Sequence, residues 1–214
     1  MNETVSGLEV IKSAVRNVMR IFARWLNKLS GGRLSPNGVT YTGLAAHIGI
    51  ALIIAMRHPL PAAILLIVFG LFDSLDGELA RLQHRASSRG MLLDSVSDRL
   101  KEILLYIGLA YAIIAIGRPY AAVWAVAVCG VSLLISYMNA WGEVVVSSYK
   151  TAEHAVNKTF RGGLMGFEIR MVFLILGLLA NRYILAIMLI TILGFVTVIQ
   201  RFVSVTSQLP HDKS

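Results

Sequence analysis

Acidic residues are scarce in this chain of 214 residues, which has 12 Asp and Glu against 20 Lys and Arg. Charged residues make up only 15% of the sequence and hydrophobic residues 56%, and the mean hydropathy is +0.69. One soluble core of this size cannot bury so many apolar side chains, which excludes an ordinary water-soluble globular protein. The composition therefore predicts an integral membrane protein.

Cysteine is almost absent as well, since Cys129 is the only one in the sequence. A single thiol excludes a disulfide framework within the chain. The sequence has no internal repeat, low-complexity tract or flexible linker, which predicts one domain over residues 1–214. We attribute the net charge of +8 to membrane topology, and we expect no nucleic-acid partner.

Six apolar segments predict six membrane-crossing helices, because lipid leaves no backbone polar group unpaired. The predicted helices cover residues 38–57, 59–81, 91–117, 120–142, 166–181 and 183–203. The second, third and fifth have short apolar parts and must be completed by segments that contain charge. The expected fold class is all-α integral membrane, with a six-helix bundle over residues 35–205.

Lys and Arg are distributed unevenly between the connections on the two sides of the membrane. If the N-terminus is inside, the inner segments hold 17 basic residues and the outer turns hold only Arg57, Arg118 and Arg182. The positive-inside rule then predicts that the acid-rich end of the bundle faces the cytoplasm. We expect a multi-pass protein of a prokaryotic inner or cell membrane.

Residues 7–30 predict an amphipathic helix before the first crossing, because basic and apolar side chains fall on two faces. The basic positions are Lys12, Arg16, Arg20, Arg24 and Lys28, and the apolar positions are Ile11, Val15, Val18, Phe22, Trp25 and Leu29. Such a helix lies in the membrane interface, with its basic face toward anionic lipids. Packing on the protein's own inner surface or on a partner chain remains an alternative.

The acidic residues are concentrated in one short stretch, residues 73–98. Asp73 and Asp76 are three apart and Asp94 and Asp98 are four apart, so each pair projects from one face of a helix. Carboxylates near a low-dielectric region must be protonated, paired with cations or bound to metal. Neighbouring arginines offer partial pairing, but four carboxylates without His or Cys suit hard divalent ions such as magnesium or manganese, with room for two.

Small residues separate these acids and leave room for a ligand close to the backbone. Gly77, Ala80 and Gly90 remove side-chain bulk, and Arg81 supplies planar donors suited to phosphate. Glycine at a membrane helix interface by itself more often serves helix packing. Combined with the acids and Arg81, the small residues favour a diphosphate site, in which metal ions bridge phosphoryl oxygens.

This segment resembles the signature of the CDP-alcohol phosphatidyltransferase family. It matches in residue type and spacing at Asp73, Asp76, Gly77, Ala80, Arg81, Gly90, Asp94 and Asp98. The "SPNGVT" stretch before the first crossing, the helix count and the N-terminal helix are also similar to single-domain members. The resemblance covers nearly the whole chain, although its specificity lies in residues 73–98.

The resemblance implies transfer of a phosphatidyl group from a CDP-diacylglycerol-type lipid to a small alcohol, with release of CMP. Two magnesium ions, or manganese in their place, would be held by Asp73, Asp76, Asp94 and Asp98, and Asp98 would also be the catalytic base. The CDP-lipid site would comprise Ser35, Pro36, Asn37, Gly38, Thr40, Gly77, Ala80, Arg81 and Ser87. Family members typically form homodimers, so we expect a homodimer among membrane lipids.

The acceptor alcohol is less well determined. Basic residues near the fifth crossing favour a small phosphorylated polyol, glycerol phosphate or inositol phosphate, bound by Lys158, Arg161 and Arg170. Compared with family members that use phosphorylated inositol, however, Asn139, Trp141 and Phe167 replace basic residues. An uncharged or zwitterionic alcohol such as inositol or serine therefore stays open.

An ion-coupled carrier also places acids inside a membrane. Carriers need those acids near the middle of the bilayer, whereas here they lie toward one end of their helices beside arginines. The spacing therefore disfavours a carrier.

Overall fold

The computed structural model describes residues 7–149 and 164–207, and all regular secondary structure in these ranges is helical. Within the helices, the side chains of residues 7–16, 71–74 and 146–149 lie outside the described set. Two predicted acceptor residues, Lys158 and Arg161, also lie outside the described residues.

The described ranges contain seven α-helices and one short 3-10 turn. The helices are α1 Gly7–Leu29, α2 Pro36–Ala55, α3 Pro59–Leu82, α4 Ser88–Ala115, α5 Val123–Tyr149, α6 Phe167–Leu179 and α7 Tyr183–Thr206, with the 3-10 turn at Pro119–Ala122. Each of the six predicted apolar segments forms a helix, α2 to α7. The largest difference is at the end of α5, which continues to Tyr149 instead of ending at residue 142.

Within the described residues, four segments are long and apolar enough to cross a membrane: Pro36–Ala55, Pro59–Leu82, Pro119–Val145 and Tyr183–Thr206. The expectation of an integral membrane protein is thereby confirmed. The other two predicted crossings correspond to α4, whose first half carries several charged residues, and α6, which has only 13 residues.

The connection between α1 and α2 is a tight turn built on two glycines. Gly31 and Gly32 have φ angles of 58° and 76°, in the left-handed region that favours glycine after a helix end. Pro36 then opens α2, where its missing N–H costs no helical hydrogen bond. The turn places the Ser35–Asn37 stretch at the start of α2.

The chain forms two compact units. The first comprises Met1–Ile50 with Ile64–Lys101, and the second comprises Ala51–Ala63 with Glu102–Ser214. In the first unit, α1, α2 and α3 share a buried apolar cluster of Ala23, Val39, Leu75 and Leu79.

The second unit is held by close helix packing. Any side chain at Gly194 of α7 would collide with Val131 of α5, which shows how closely these two helices approach. Small residues allow such contacts between membrane helices.

Candidate active site

Asp76 is a buried carboxylate near the end of α3, and it is only 6% exposed. The Thr40 hydroxyl, from α2, donates to Asp76 Oδ2 at 2.7 Å, and the Gly77 N–H donates to Oδ1 at 2.6 Å. Hydrogen bonds to a carboxylate are strong and directional, so these two donors fix its orientation. Thr40, which we expected at the CDP-lipid site, therefore also positions a predicted metal ligand.

Asp98 lies on α4 beside a buried lysine. Lys101 Nζ donates to Asp98 Oδ1 at 3.3 Å, and Arg99 is 4.0 Å from Oδ2. Lys101 is 1% exposed, and burial of an ammonium requires a partner of opposite charge. The charges of Asp98 and Lys101 on α4 lie within electrostatic range of Asp76 on α3.

The other two predicted metal ligands are less completely described. Asp94 is half-buried on α4, one turn before Asp98. Asp73 is a residue of α3, but its side chain is outside the described set. Among the side chains that are described, no three His, Cys, Asp or Glu converge closely enough to hold a metal ion.

Arg81 is oriented by a buried glutamate. Its Nη2 donates to Glu78 Oε1 at 2.7 Å, while Arg20 of α1 lies 3.6 Å from Glu78 Oε2. The Glu78 side chain is 5% exposed and that of Arg81 is 64% exposed. The guanidinium of Arg81 is therefore anchored at one nitrogen and open to a ligand at the others.

Among the small residues that separate the acids, Gly90 has little free space around it and Gly77 has more. A Cβ at Gly90 would lie 3.4 Å from Ser87 Oγ and 4.0 Å from Asn37 Oδ1. A Cβ at Gly77 would lie 3.6 Å from Arg81 Nη2. The region around Gly90 thus places the starts of α2 and α4 side by side.

Ser87 has a local structural role. Its hydroxyl accepts the Gly90 N–H at 3.1 Å, which is the usual pairing between the residue before a helix and the third residue within it. Ser87 therefore caps α4, the helix that carries Asp94 and Asp98.

Other predicted CDP-lipid residues lie close to these groups along the chain. A Cβ at Gly38 would lie 3.6 Å from the Cβ of Ser35, which is an ordinary van der Waals contact. Ala80 is half-buried on α3, one residue before Arg81. Gln83 joins the end of α3 to α1 and to the connection between α1 and α2. Its Nε2 donates to Asn27 Oδ1 at 2.8 Å and to the Leu34 carbonyl at 2.9 Å.

A model of the CDP-alcohol phosphatidyltransferase family matches residues 33–200 of the chain. The chain belongs to this family. The matched region contains every described residue of the candidate site except Arg20 and Asn27 of α1.

Three curated relatives illustrate the similarity. A phosphatidylinositol phosphate synthase of Corynebacterium glutamicum is 32% identical over 149 residues, which covers 68% of this chain and 63% of that protein. An archaetidylinositol phosphate synthase of Pyrococcus horikoshii is 27% identical over 194 residues, with 91% of this chain and 94% of that protein covered. A Mycobacterium marinum relative is matched over 55% of its length, so the match spans less than two thirds of some of these proteins.

Solved structures show the same fold. A crystal structure of Mycobacterium tuberculosis phosphatidylinositol phosphate synthase with CDP-DAG bound superposes with a TM-score of 0.72 at 22% identity, covering 88% of this chain and 94% of the other. A second structure of that protein, in complex with manganese and citrate, gives a TM-score of 0.74 at 24% identity, covering 88% and 89%.

The described acids fit a hard divalent cation. Asp76 and Asp98 offer only carboxylate oxygens, the donors that magnesium and manganese prefer. Both oxygens of Asp76 are oriented by donors from the protein, as expected for a ligand held by outer hydrogen bonds. The nearby His47 of α2 is engaged by its own helix, because its Nδ1 donates to the Gly43 carbonyl at 2.8 Å, and no group of three His, Cys, Asp or Glu that could hold a metal ion occurs among the described side chains.

Arg170 has a position that the sequence did not indicate. It was expected to contact the acceptor, but it is 1% exposed, and its Nε and Nη2 donate to the Glu102 carboxylate at 3.0–3.1 Å. Its Nη1 donates to the Met165 carbonyl at 2.9 Å. In the described structure Arg170 therefore connects α4 to the start of α6.

Sequence reasoning also missed three side chains that organise the site: Glu78, Gln83 and Lys101. Glu78 and Lys101 each lie three residues from a predicted site residue, Arg81 and Asp98. That spacing places two helical side chains on one face, so a signal for both was present in the sequence.

Proposed function

We propose that the protein catalyses divalent-metal-dependent transfer of a phosphatidyl group from CDP-diacylglycerol to a small alcohol, releasing CMP. The observation that carries this proposal is the Asp76 carboxylate, held by Thr40 and Gly77 and lying within electrostatic reach of the Asp98–Lys101 pair. This arrangement occurs in a chain that carries the complete family motif.

We propose that the site holds two magnesium ions. Their ligands would be the four aspartates of the motif, Asp73, Asp76, Asp94 and Asp98. Bound there, the ions would neutralise charge that develops on the diphosphate as CMP leaves. Thr40 and Gly77 orient Asp76 for this role. Asp98 accepts the proton of the acceptor hydroxyl, and Lys101 holds the Asp98 carboxylate in place.

Arg81 is the proposed contact to the donor diphosphate. Glu78 holds one of its nitrogens, and the exposed remainder of the guanidinium presents a planar pair of donors, which matches phosphate oxygens better than a single ammonium does. We propose that the other predicted CDP-lipid residues complete this site: Ser35, Pro36, Asn37, Gly38, Gly77, Ala80 and Ser87.

The proposed acceptor is an inositol phosphate. Relatives named phosphatidylinositol phosphate synthase and archaetidylinositol phosphate synthase support this choice, as does the basic segment that contains Lys158 and Arg161. We assign Arg170 an indirect role, because its nitrogens are engaged by Glu102 and Met165. It would position the start of α6 for the acceptor without contacting the phosphate.

One observation favours a neutral alcohol such as inositol as a second candidate. Asn139 replaces a basic residue of the family pattern, and its buried side-chain oxygen has no hydrogen-bond partner among the described residues. Such an oxygen is costly unless a donor reaches it. A hydroxyl of a neutral polyol would supply that donor.

The proposed topology has six crossings, with α4 and α6 completing the four apolar spans and the candidate site facing the cytoplasm. We propose that α1 lies in the membrane interface. Its inward side packs on α3 through Ala23, Phe22 and Leu26, while Val18, Trp25 and Leu29 are all more than half exposed, as a helix immersed in lipid headgroups requires. A single domain and a homodimer complete the proposal.

An acceptor panel tests the proposal. Purified protein in neutral detergent is given CDP-diacylglycerol and magnesium with inositol phosphate, glycerol phosphate, inositol or serine, and CMP release is measured. We expect the highest rate with inositol phosphate and none after chelation. Full CMP release after exhaustive chelation would refute the metal requirement, and a preference for inositol would replace the first acceptor by the second.

A further inference from the structure

A cavity of about 870 Å³ lies in the second unit, among the connections that follow α2, α4 and α6. None of its lining residues belongs to the candidate active site. Four of them are basic or imidazole side chains: Arg57, His58, Arg118 and Arg182. All four are exposed. These three arginines are the only basic residues that the proposed topology places on the outer side of the membrane.

The positive charge in this cavity has no counter-charge from the described chain. No carboxylate among the described side chains forms an ion pair with Arg57, Arg118 or Arg182. The sequence contains no Asp or Glu at all in residues 103–142 or 169–211, nor between residues 10 and 72. Three guanidinium groups around one cavity repel each other, so an anion from outside the chain would stabilise them.

The arginines are placed by one repeated turn. Past the end of each of the three helices, two successive N–H groups donate to carbonyls three and five residues earlier, the hydrogen-bond pattern of a Schellman motif. The left-handed residue of the motif is Arg57 (φ 64°), Gly117 (φ 75°) and Asn181 (φ 52°) in turn. Arg118 and Arg182 follow the last two, at the position that His58 fills after Arg57, so the three charges leave the same turn at adjacent backbone positions.

Arg57 occupies a backbone position that suits glycine better. A left-handed conformation is unfavourable for a residue with a Cβ and a long side chain. Glycine already serves at the matching position of α4, where Gly117 stands. The arginine at residue 57 is therefore not explained by the local fold, whereas an anion in the cavity would explain it.

The start of α7 adds backbone donors to the same cavity. The first helical hydrogen bond runs from Ala186 N–H to the Arg182 carbonyl at 3.1 Å, and no side chain caps the helix. The N–H groups of Tyr183, Ile184 and Leu185 precede that bond, and these three residues line the cavity. Free amides at a helix start favour negative charge.

We propose that this cavity binds the phosphodiester headgroup of an anionic membrane lipid. Arginine forks match the paired oxygens of a phosphate. The rest of the lining includes Ile116, Leu185 and Met188, and α7 is one of the apolar spans. A lipid fits both parts of the lining, because its glycerol and acyl groups cover apolar surface that a soluble phosphate would leave in water.

The test uses variants that change charge without harming the fold. Arg57→Gly removes one arginine and relieves a left-handed backbone, so its thermal stability in detergent should equal or exceed that of the wild type. Arg182→Gln removes a second charge. Asn181→Gly is the matched control, because it makes the same backbone change in the same cavity and keeps all three arginines.

Binding is measured by native mass spectrometry of protein in neutral detergent, titrated with phosphatidylglycerol or phosphatidylcholine, and in a separate arm with glycerol 3-phosphate. We expect the wild type and Asn181→Gly to prefer phosphatidylglycerol, and Arg57→Gly/Arg182→Gln to bind it about tenfold more weakly. CMP release should be unchanged in both variants.

Four results would overturn the proposal. The first is equal binding of the two lipids by the wild type, and the second is unchanged phosphatidylglycerol binding by the double variant. The third is glycerol 3-phosphate binding as tightly as the lipid, which would make the cavity a site for soluble phosphate. Loss of binding in Asn181→Gly would likewise contradict it, because shape and not charge would then decide binding.

Discussion

The buried pair between Glu102 and Arg170 is expected to determine the stability of the second unit. Both side chains are almost fully buried, at 2% and 1% exposed, and three hydrogen bonds join them. Replacing Glu102 by Leu leaves the Arg170 guanidinium buried without its carboxylate. Breaking a buried pair in this way costs about 3–5 kcal/mol.

For a chain of this size, each kcal/mol lowers the melting temperature by about 2–4 °C, so Glu102→Leu should melt roughly 6–20 °C below the wild type. The assay is thermal unfolding in neutral detergent. Glu143→Leu is the control, because Glu143 is exposed and such substitutions stay within about 0.5 kcal/mol.

A double variant separates the charge from the shape of the pair. Glu102→Leu/Arg170→Met removes both charges at similar volume, and such apolar replacements are often neutral or stabilising. We therefore expect it to recover most of the lost stability. A melting temperature for Glu102→Leu within about 2 °C of the wild type, or a double variant less stable than the single one, would show that this buried charge pair does not determine the stability of the second unit.

Three further outcomes follow from the described contacts. Thr40→Val removes the 2.7 Å donor to Asp76, a charged hydrogen bond of about 1.5–3 kcal/mol. CMP release by this variant should need more magnesium, whereas Thr40→Ser should behave like the wild type. An unchanged magnesium titration for Thr40→Val would count against a role of Thr40 in orienting Asp76. Arg81→Lys should raise the apparent KM for the CDP-lipid about tenfold, because an ammonium cannot reproduce the planar fork, and an unchanged KM would remove Arg81 from the site. Gly108→Ala should lower stability by about 1–3 kcal/mol, since its Cβ would collide with the Ala51 carbonyl; an unfolding curve identical to the wild type would disprove this close contact.

Most of the helices were predictable because they are apolar segments bounded by charged or turn-forming residues, although α4 carries charge in its first half and α6 has only 13 residues. Lipid as solvent makes such a segment helical whatever packs against it. The end of α5 was predicted too early, because Gly142 and Glu143 interrupt the apolar run. The helix continues past them into further apolar sequence, as far as Tyr149.

The candidate site was predictable where its residues are close in sequence. The spacing of Asp94 and Asp98 on one helix face is a local property, and the pairing of Glu78 with Arg81 could have been read by the same rule. The Thr40–Asp76 and Glu102–Arg170 contacts join residues 36 and 68 positions apart. Such contacts depend on how whole helices pack, and spacing alone carries no information about them.

The most direct test of phosphatidyl transfer with Asp98 as the base compares wild type with Asp98→Asn at saturating magnesium. The substrates are CDP-diacylglycerol and inositol phosphate. The measurement is the rate of formation of the phosphatidyl product, identified by mass spectrometry, together with CMP. We expect stoichiometric product and CMP from the wild type and a rate at least about 100-fold lower from Asp98→Asn, because a general base is lost. Equal rates for the two proteins, or no product from the wild type with any acceptor of the panel, would contradict it.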